Sequence, residues 1–513
     1  MVSKVTYLTE LTDKNVAHKF LESSLCFGHF SSIHPGHIRY FRNAKQHGSQ
    51  LVVGLESDRQ LSETERKVVF SEYERACALA ALDLVDHVVI LDSGTLGDLV
   101  ELIEPNALVL GKEFEVERVA KVVDAVTWML DHGRKVHYEA GEIQYSSADI
   151  FYSTQDELEQ KRWLQFQEAL RNQDINLDEV VTKVSKQHLK KILVIGDTIV
   201  DRYVACDPIG MSNEAPVVVV KELESRDYVG GAGIVAAHVA TLSETDCTFL
   251  SVTGRDSHAD LVSTMLAKWN VNAELLEDIS RPTTFKIRYL VGNQKLFRVS
   301  RLKEHSLTRN VEDAVIATIS NMAPFLDGIL VCDFVYGVVT TKIIEKLAQV
   351  SKKNGIPLFG DLQCSSQVGN ISKFKDFELL CPTEREARIA LSNQDDGIEY
   401  IANSLMDRTR STNLIVKLGS DGFIAYSRDN DSNFVHRQHF PALTPNPMDV
   451  AGAGDSLLAA VSIGLTYGLT FMEAAAFGCC VAAIAVQTVG NHPVRLEEVT
   501  TFIHRENRHK HAF

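Results

Sequence analysis

The chain has 513 residues, 45% of them apolar and 23% charged, and a formal charge of −16. That length exceeds what one hydrophobic core usually supports, so two or three domains are expected, and the acidic balance argues against non-specific attraction to nucleic acid or anionic lipid. Nine cysteines without a CxxC pair fit reduced thiols in a cytoplasmic protein better than a zinc site or disulfide framework, while the apolar stretch 471–486 is too short for a membrane span and includes Glu473.

Along the chain, short apolar runs at 51–55, 87–91, 107–110 and 136–138 alternate with helical patterns at 38–47, 71–82 and 115–132. Such alternation implies parallel strands with crossover helices, an α/β N-terminal domain of Rossmann-like type over residues 1–152. Residues 153–189 turn polar and helical, with Thr154 to Glu157 and Asn176 to Glu179 spaced as capping boxes. This stretch reads as a helical linker.

Over 190–513, buried strands at 191–196, 328–332, 357–360 and 414–417 continue an α/β pattern. Residues 284–291 alternate Phe285, Ile287 and Tyr289 with Lys286 and Arg288, then turn at Gly292-Asn293 into 294–300. This predicts a small antiparallel β-sheet flap, joined by a strand within 217–223. The basic tail 504–511 reads as a solvated terminus.

Two segments carry phosphate chemistry. In Gly28-His29-Phe30-Ser31-Ser32-Ile33-His34-Pro35-Gly36-His37 an apolar lead-in runs through a loop into an amphipathic helix. Gly36 lets backbone approach a triphosphate, the helix start offers unpaired N–H donors, and the imidazoles of His34 and His37 can donate to phosphate oxygens as charge builds. The segment resembles the nucleotidyltransferase superfamily that includes glycerol-3-phosphate cytidylyltransferase and the heptose-1-phosphate adenylyltransferases. Ala44-Lys45, Ser57-Asp58, Glu74-Arg75, Ile103-Glu104-Pro105 and Tyr145-Ser146-Ser147 follow in the superfamily's order. The resemblance implies that His34 and His37 stabilise the transition state, that Lys45 contacts phosphate, and that Gly28, Phe30, Arg75, Ser146 and Ser147 lie around the nucleotide. The chain departs from it at Ser31, where relatives carry Asp, and at Gly111-Lys112-Glu113, where Lys112 stands in for a displaced lysine.

The second segment is Asp449-Val450-Ala451-Gly452-Ala453-Gly454-Asp455. Small residues Gly452, Ala453 and Gly454 ahead of a helix free backbone N–H groups to form an anion hole, and Asp455 at its mouth can take the proton of an attacking hydroxyl. With Gly196-Asp197, Asp201-Arg202-Tyr203, the Asn213 to Val217 segment, Gly230-Gly231-Ala232 and Arg281-Pro282-Thr283-Thr284 in order, residues 190–500 resemble the ribokinase-like carbohydrate kinases. The heptose-7-phosphate kinase branch is the most similar, and it is commonly fused to the nucleotidyltransferase type above, with the domains in the opposite order.

That resemblance implies sugar contacts from Asp197, Asp201, Gly230, Gly231 and Asp333, substrate-phosphate contacts from Lys286 and Arg288, and a nucleotide-facing loop at Lys417, Gly419 and Gly422. Asp361 and Glu386 would organise Mg²⁺ around ATP, and a monovalent cation is a further expectation. Capping carboxylates and a plain turn remain alternatives for the acidic residues and the loop. Departures fall at Ile234, Tyr336, Gln363 and Thr383, where the branch has Asn, Lys, Lys and Asn. The expected protein is a bifunctional sugar-activating enzyme using ATP or CTP and sugar phosphates, with no nucleic-acid or membrane partner, assembled as a homodimer or higher oligomer through the flap. The alternatives are the same reactions on another sugar or polyol phosphate, and a non-catalytic sugar-phosphate sensor.

Overall fold

The computed structural model describes residues 4–11, 20, 22–30, 33, 35–61, 70–111, 120–139, 155–185, 189–212, 214, 217–243, 245–292, 294–364, 369–428 and 435–508. The chain divides into two compact units, residues 1–154 with 393–401, and residues 155–392 with 402–513.

In the first unit, β1 (Val5–Tyr7), β2 (Ser23–Gly28), β3 (Gln50–Glu56), β4 (His87–Leu91), β5 (Ala107–Gly111) and β6 (Lys135–Glu139) form a sheet among the described residues. Its order is β1-β4-β3-β2-β5-β6 and every pairing is parallel. Successive strand residues feed opposite faces. Leu25, Val52, Val89 and Leu108 pack with the helices Leu96–Ile103 and Ala120–Asp131, whereas Cys26, Val53, Val88 and Val109 pack with Pro35–Lys45 and Glu72–Ala80. Both faces are therefore covered, as the continuous apolar runs require. The chain leaves β2 through Pro35–Lys45 to reach β3 on one side and later returns to β5 on the other. The strand order reverses at β2, which opens a crevice beyond its carboxyl end.

In the second unit, a nine-stranded sheet among the described residues is built from β7 (Lys190–Gly196), β10 (Thr245–Thr253), β11 (Asn272–Glu277), β14 (Gly328–Asp333), β15 (Leu358–Leu362), β16 (Leu379–Leu380), β17 (Asn413–Lys417), β18 (Phe423–Arg428) and β19 (Val435–Phe440). Its order is β11-β10-β7-β14-β15-β16-β17-β18-β19, parallel as far as β17 and antiparallel for the last two pairings. The helices Ala453–Thr466 and Phe471–Ala485 pack on each other through small residues. A β-carbon on Gly464 would lie 2.8 Å from Ala474 Cβ, and one on Gly478 would lie 2.7 Å from Leu457 Cδ1. The apolar stretch 471–486 is thus a core helix, and no helix among the described residues is long and apolar enough to cross a membrane.

One finding differs from the sequence reading. The helices Gln155–Asn172 and Leu177–Ser185, from the segment read as a linker, place Trp163, Phe166, Val180 and Val184 in this unit's core. Of the tail read as solvated, His504 and Arg505 are exposed and continue the helix Leu496–Arg508, whose Val499 and Ile503 are buried ahead of them.

The flap is a second sheet, ordered β13-β12-β8-β9. Its strands are β8 (Thr198–Met211), β9 (Val218–Gly231), β12 (Thr284–Val291) and β13 (Gln294–Arg301). The inner strand β8 has no counterpart in the sequence reading, because Asp201, Asp207, Pro208 and Gly210 interrupt any alternation. Ile209, Met211, Val218, Leu223, Phe297 and Val299 are exposed on this sheet.

Candidate functional site

In the first unit the loop after β2 lies at the switch point. Phe30 adopts a left-handed φ of 43°, is buried, and sets its ring edge-on to His37 at 5.1 Å and against Phe41 at 5.2 Å. Gly28 is required beneath it, since a β-carbon there would lie 3.0 Å from the Phe30 ring. Tyr40 pins the helix Pro35–Lys45 across the crevice: its hydroxyl donates to Val109 O at 2.5 Å and accepts from Phe27 N at 3.4 Å. His37 and Gly36 occupy the first turn of that helix, where unpaired amides favour an anion.

Arg75 has a different role from the one the resemblance implied. It is 2% exposed, donating to Phe70 O at 3.0 Å, Glu56 O at 2.9 Å, Asp58 Oδ1 at 2.8 Å and His29 O. Its guanidinium ties the His29–Phe30 loop to the end of β3, so it positions the loop. Lys45 closes the same helix about 12 Å along its axis from His37. There its Nζ donates to Leu84 O at 3.2 Å and pairs with Asp86 at 3.2 Å, so the structure does not bring Lys45 to His37. His34, Lys112, Ser146 and Ser147, with Ser31 and Glu113, lie outside the described residues.

In the second unit a cavity of about 690 Å³ runs from the flap to the helix Phe471–Ala485. Its walls hold Asp201, Gly231, Lys286 and Arg288 at the flap end, Gly452, Ala453, Gly454 and Asp455 at the start of the helix Ala453–Thr466, and Lys417, Gly419, Gly422 and Glu386 beyond. Gly452 caps the helix with φ 82°. Gly422, at φ 86°, cannot carry a side chain, since a β-carbon would lie 2.1 Å from Phe440 O. Asp449 fixes the glycine turn to the flap: it accepts from Tyr203 Oη at 2.6 Å, Lys295 Nζ at 2.8 Å, Ala451 N at 3.0 Å and Gly490 N at 3.3 Å.

Asp455 is 7% exposed and accepts from Gln363 Nε2 at 2.6 Å. Burial and then the charge of Asp361 push its pKa up to about 7. Lys417 reaches to the same point, its Nζ 3.2 Å from where a β-carbon on Gly454 would stand and 2.6 Å from Asp361 Oδ2. Burial disfavours the ammonium, but Asp361 and Glu386 outweigh it, so the Lys417 pKa is raised and the group stays cationic.

Of the two residues expected at a metal, Asp361 is 3% exposed in its side chain and pairs with Lys417; it is not among the cavity's lining residues. Glu386 does line the cavity, with one oxygen accepting Cys364 N at 2.9 Å and the other Thr383 N at 2.8 Å. Among the described residues no group of three or more His, Cys, Asp or Glu is gathered for a metal. One carboxylate facing the nucleotide end fits Mg²⁺ arriving on phosphates, which keeps waters and takes few protein ligands.

Asp197 and Asp333 shape backbone. Asp197 accepts from Phe334 N at 2.8 Å, Tyr336 N at 3.4 Å and Val338 N at 3.2 Å, and burial followed by the charge of Asp333 raises its pKa. Asp333 accepts from Val335 N at 2.8 Å and pairs with Lys373. Between them they hold Val335 at φ 63°, a conformation a β-branched residue adopts only under constraint. Asp201 faces the cavity and pairs with Arg288; Gly230 makes room for it, since a β-carbon there would lie 2.3 Å from Asp201 Oδ2. Lys286 lies 5.0 Å from the Tyr336 ring centroid and 5.8 Å from that of Phe334.

Three residues outside the sequence reading enter the site. Arg298 lines the flap end, Asn491 lines the wall near Asp201, and Arg162 reaches in from the helix Gln155–Asn172, donating to Ala442 O at 2.9 Å. Cationic side chains on an exposed strand and helix carry no local signal of this.

A buried carboxylate at a glycine turn, between a cation-lined end and a pocket of small residues, defines an α/β phosphotransferase acting on a small molecule. The chain belongs to the pfkB family of carbohydrate kinases, whose pattern matches residues 189–496. A second pattern, cytidylyltransferase-like, matches residues 25–253. Among curated proteins the chain is similar to the bifunctional protein HldE of Desulfatibacillum aliphaticivorans, at 29% identity over 60% of this chain, and to that of Syntrophotalea carbinolica, at 31% over 60%. It spans 62% of the length of each. The crystal structure of phosphofructokinase-2 from Escherichia coli aligns with 62% of this chain and 99% of its own at a TM-score of 0.51 and 15% identity, which shows the fold of the second unit.

Proposed function

We propose that the chain activates a sugar in two steps. The second unit transfers the γ-phosphoryl group of ATP to a hydroxyl of a sugar or sugar phosphate of the heptose 7-phosphate type. The first unit joins a sugar 1-phosphate to a nucleoside triphosphate, giving a nucleotide sugar of the ADP-heptose type and pyrophosphate. One observation carries the reading: Asp455, at the mouth of a glycine turn, faces a single cavity with cations at one end and small residues at the other.

For the kinase step, Asp455 takes the proton of the attacking hydroxyl while the Gly452 to Gly454 amides and Lys417 meet the charge on the transferred phosphoryl group. Lys286, Arg288 and Arg298 bind the phosphate already on the sugar. Glu386 would hold Mg²⁺ on the protein side, and the ion would supply neutralisation of phosphate charge. For nucleotidyl transfer, His37 and His34 meet the charge that builds as the sugar-phosphate oxygen attacks the α-phosphorus and pyrophosphate leaves. The exposed apolar residues of the flap support a homodimer through that sheet, and nine cysteines, none in a disulfide, support a reducing, cytoplasmic setting.

A second reading keeps both steps but changes the sugar, or uses CTP. It is favoured by Ile234, fully buried in the core where the heptose branch has a polar amide. Mass-spectrometric product analysis with a panel of sugar phosphates and nucleoside triphosphates decides among these readings. A phosphorylated sugar and a nucleotide sugar are expected; consumption of none would leave the sensor.

A further inference from the structure

We propose that Asn491 is a sugar-binding residue of the kinase cavity, its Oδ1 accepting a hydrogen bond from a hydroxyl of the substrate. The proposal rests on the kinase reading above and deepens it. Asn491 is 6% exposed, yet it lines the cavity. Its Nδ2 donates to Asp201 Oδ2 at 3.1 Å, while among the described residues its Oδ1 is buried without a hydrogen-bond partner. Buried carbonyl oxygens are rarely left unpaired, because burial forfeits their bond to water. The oxygen therefore waits for a donor that arrives with the ligand.

Its placement says what that donor is. A β-carbon on Gly230 would lie 3.1 Å from Asn491 Nδ2, and one on Gly452 would lie 3.0 Å from Oδ1. Asn491 thus stands between the flap-side glycine turn and the turn whose amides receive the phosphoryl group. Asp201, spent on Arg288 and Asn491, keeps lone pairs for a neighbouring hydroxyl. Two adjacent acceptors beside the anion hole suit the vicinal hydroxyls of a sugar. The amide which the heptose kinase branch carries at position 234 is absent here, Ile234 being buried in the helix Ala232–Leu242. Asn491 supplies an amide from beside Gly230 and Gly452 instead, so the hydroxyl it reads is met from a different chain segment.

The test uses the full chain, with Asn491→Leu removing both polar atoms at similar volume and Asn491→Asp keeping the acceptor but losing the donor. The probe is the sugar phosphate that the unaltered chain consumes, together with its monodeoxy analogues. Asn491→Leu is expected to raise the sugar KM about tenfold or more, the worth of one to two buried hydrogen bonds, with the ATP KM changed less than about twofold. One monodeoxy analogue, penalised with the unaltered chain, should lose its penalty with Asn491→Leu; Asn491→Asp should retain that preference while binding more weakly. A fall in kcat alike for every analogue, with preference among them unchanged, would mean that Asn491 only props Gly452, and would overturn the proposal. Should the unaltered chain phosphorylate no sugar, the kinase reading itself fails, and the inference falls with it.

Discussion

Replacing Gln363 by Leu tests whether Asp455 is the base that its surroundings suggest. The bond from Gln363 Nε2 to Asp455 Oδ1, 2.6 Å long, and the charge of Lys417 favour the ionised carboxyl, against burial, Asp361 and Asp201, and the balance holds the pKa near 7. A hydrogen bond to a charged group contributes about 1.5–3 kcal/mol, and about 1.4 kcal/mol moves a pKa by one unit. Losing it should raise the Asp455 pKa by about one unit or slightly more. A base acts when deprotonated, so kcat/KM rises with pH through the pKa, near pH 7 in the unaltered chain and near pH 8 in Gln363→Leu. At pH 7 the ionised fraction drops from about a half to about a tenth, a loss of about fivefold, while above about pH 9 the two should coincide. Gln363→Lys should move the limb the other way, because a cation favours the anion. ADP release followed by a coupled assay across this range measures the limb. An unmoved limb in both variants, or an equal loss at every pH, would refute Asp455 as the titrating base.

Three further outcomes follow from the same geometry. Asp455→Ala should abolish phosphorylation and spare nucleotidyl transfer, and His37→Ala should do the reverse; loss of both activities from either change would contradict two separate sites. Lys45→Ala should leave nucleotidyl transfer within about twofold, because the side chain is tied to Leu84 O and Asp86 and lies about 12 Å along its helix from His37; a fall of a hundredfold would show that it meets phosphate. Asp455→Asn should stabilise the fold at pH 8 and not near pH 4. The folded pKa lies above the unfolded one, so the ionised carboxyl destabilises progressively as pH rises from about 4 to about 7, by on the order of 4 kcal/mol once complete. Thermal unfolding at the two pH values measures this, and a Tm unchanged at both would count against a buried ionised carboxylate.

Where strands and helices carry their own pattern, the fold was legible. β3, β4 and β5 fall where apolar runs stand between helical segments, and β12 and β13 meet at the Gly292 turn. The helix Gln155–Asn172 reads as polar because its buried residues, Trp163, Phe166 and Ala169, are few against many charges. What it packs on is set by distant sequence. The flap strand β8 escaped for a related reason: Asp201 is buried in it only because Arg288 and Asn491, both remote in the chain, satisfy its carboxylate.

The candidate site divides along the same line. Asp455 and the Gly452 to Gly454 turn are local features, since a glycine turn before a helix needs only its own sequence to make an anion hole. Residues reaching that turn from elsewhere are fixed by topology. Asp197, read as a sugar contact, has its oxygens taken by the 334–338 backbone, and Arg75, read as a nucleotide contact, donates to the end of β3 and to His29 O in the loop after β2. Compared position by position with the heptose kinases, Gln363 and Ile234 count as losses of a cation and an amide. Three-dimensionally they are exchanges: Gln363 donates to Asp455 in a neutral form, with the carboxyl held near pH 7, Lys417 brings a cation to the same glycine turn, and Asn491 brings an amide beside Asp201. A site assembled from substitutes in this way conserves the demands of phosphoryl transfer, which are a base, an anion hole and a cation. On the proposed reading a sugar would be met from different directions, so these residues constrain the reaction more than the substrate.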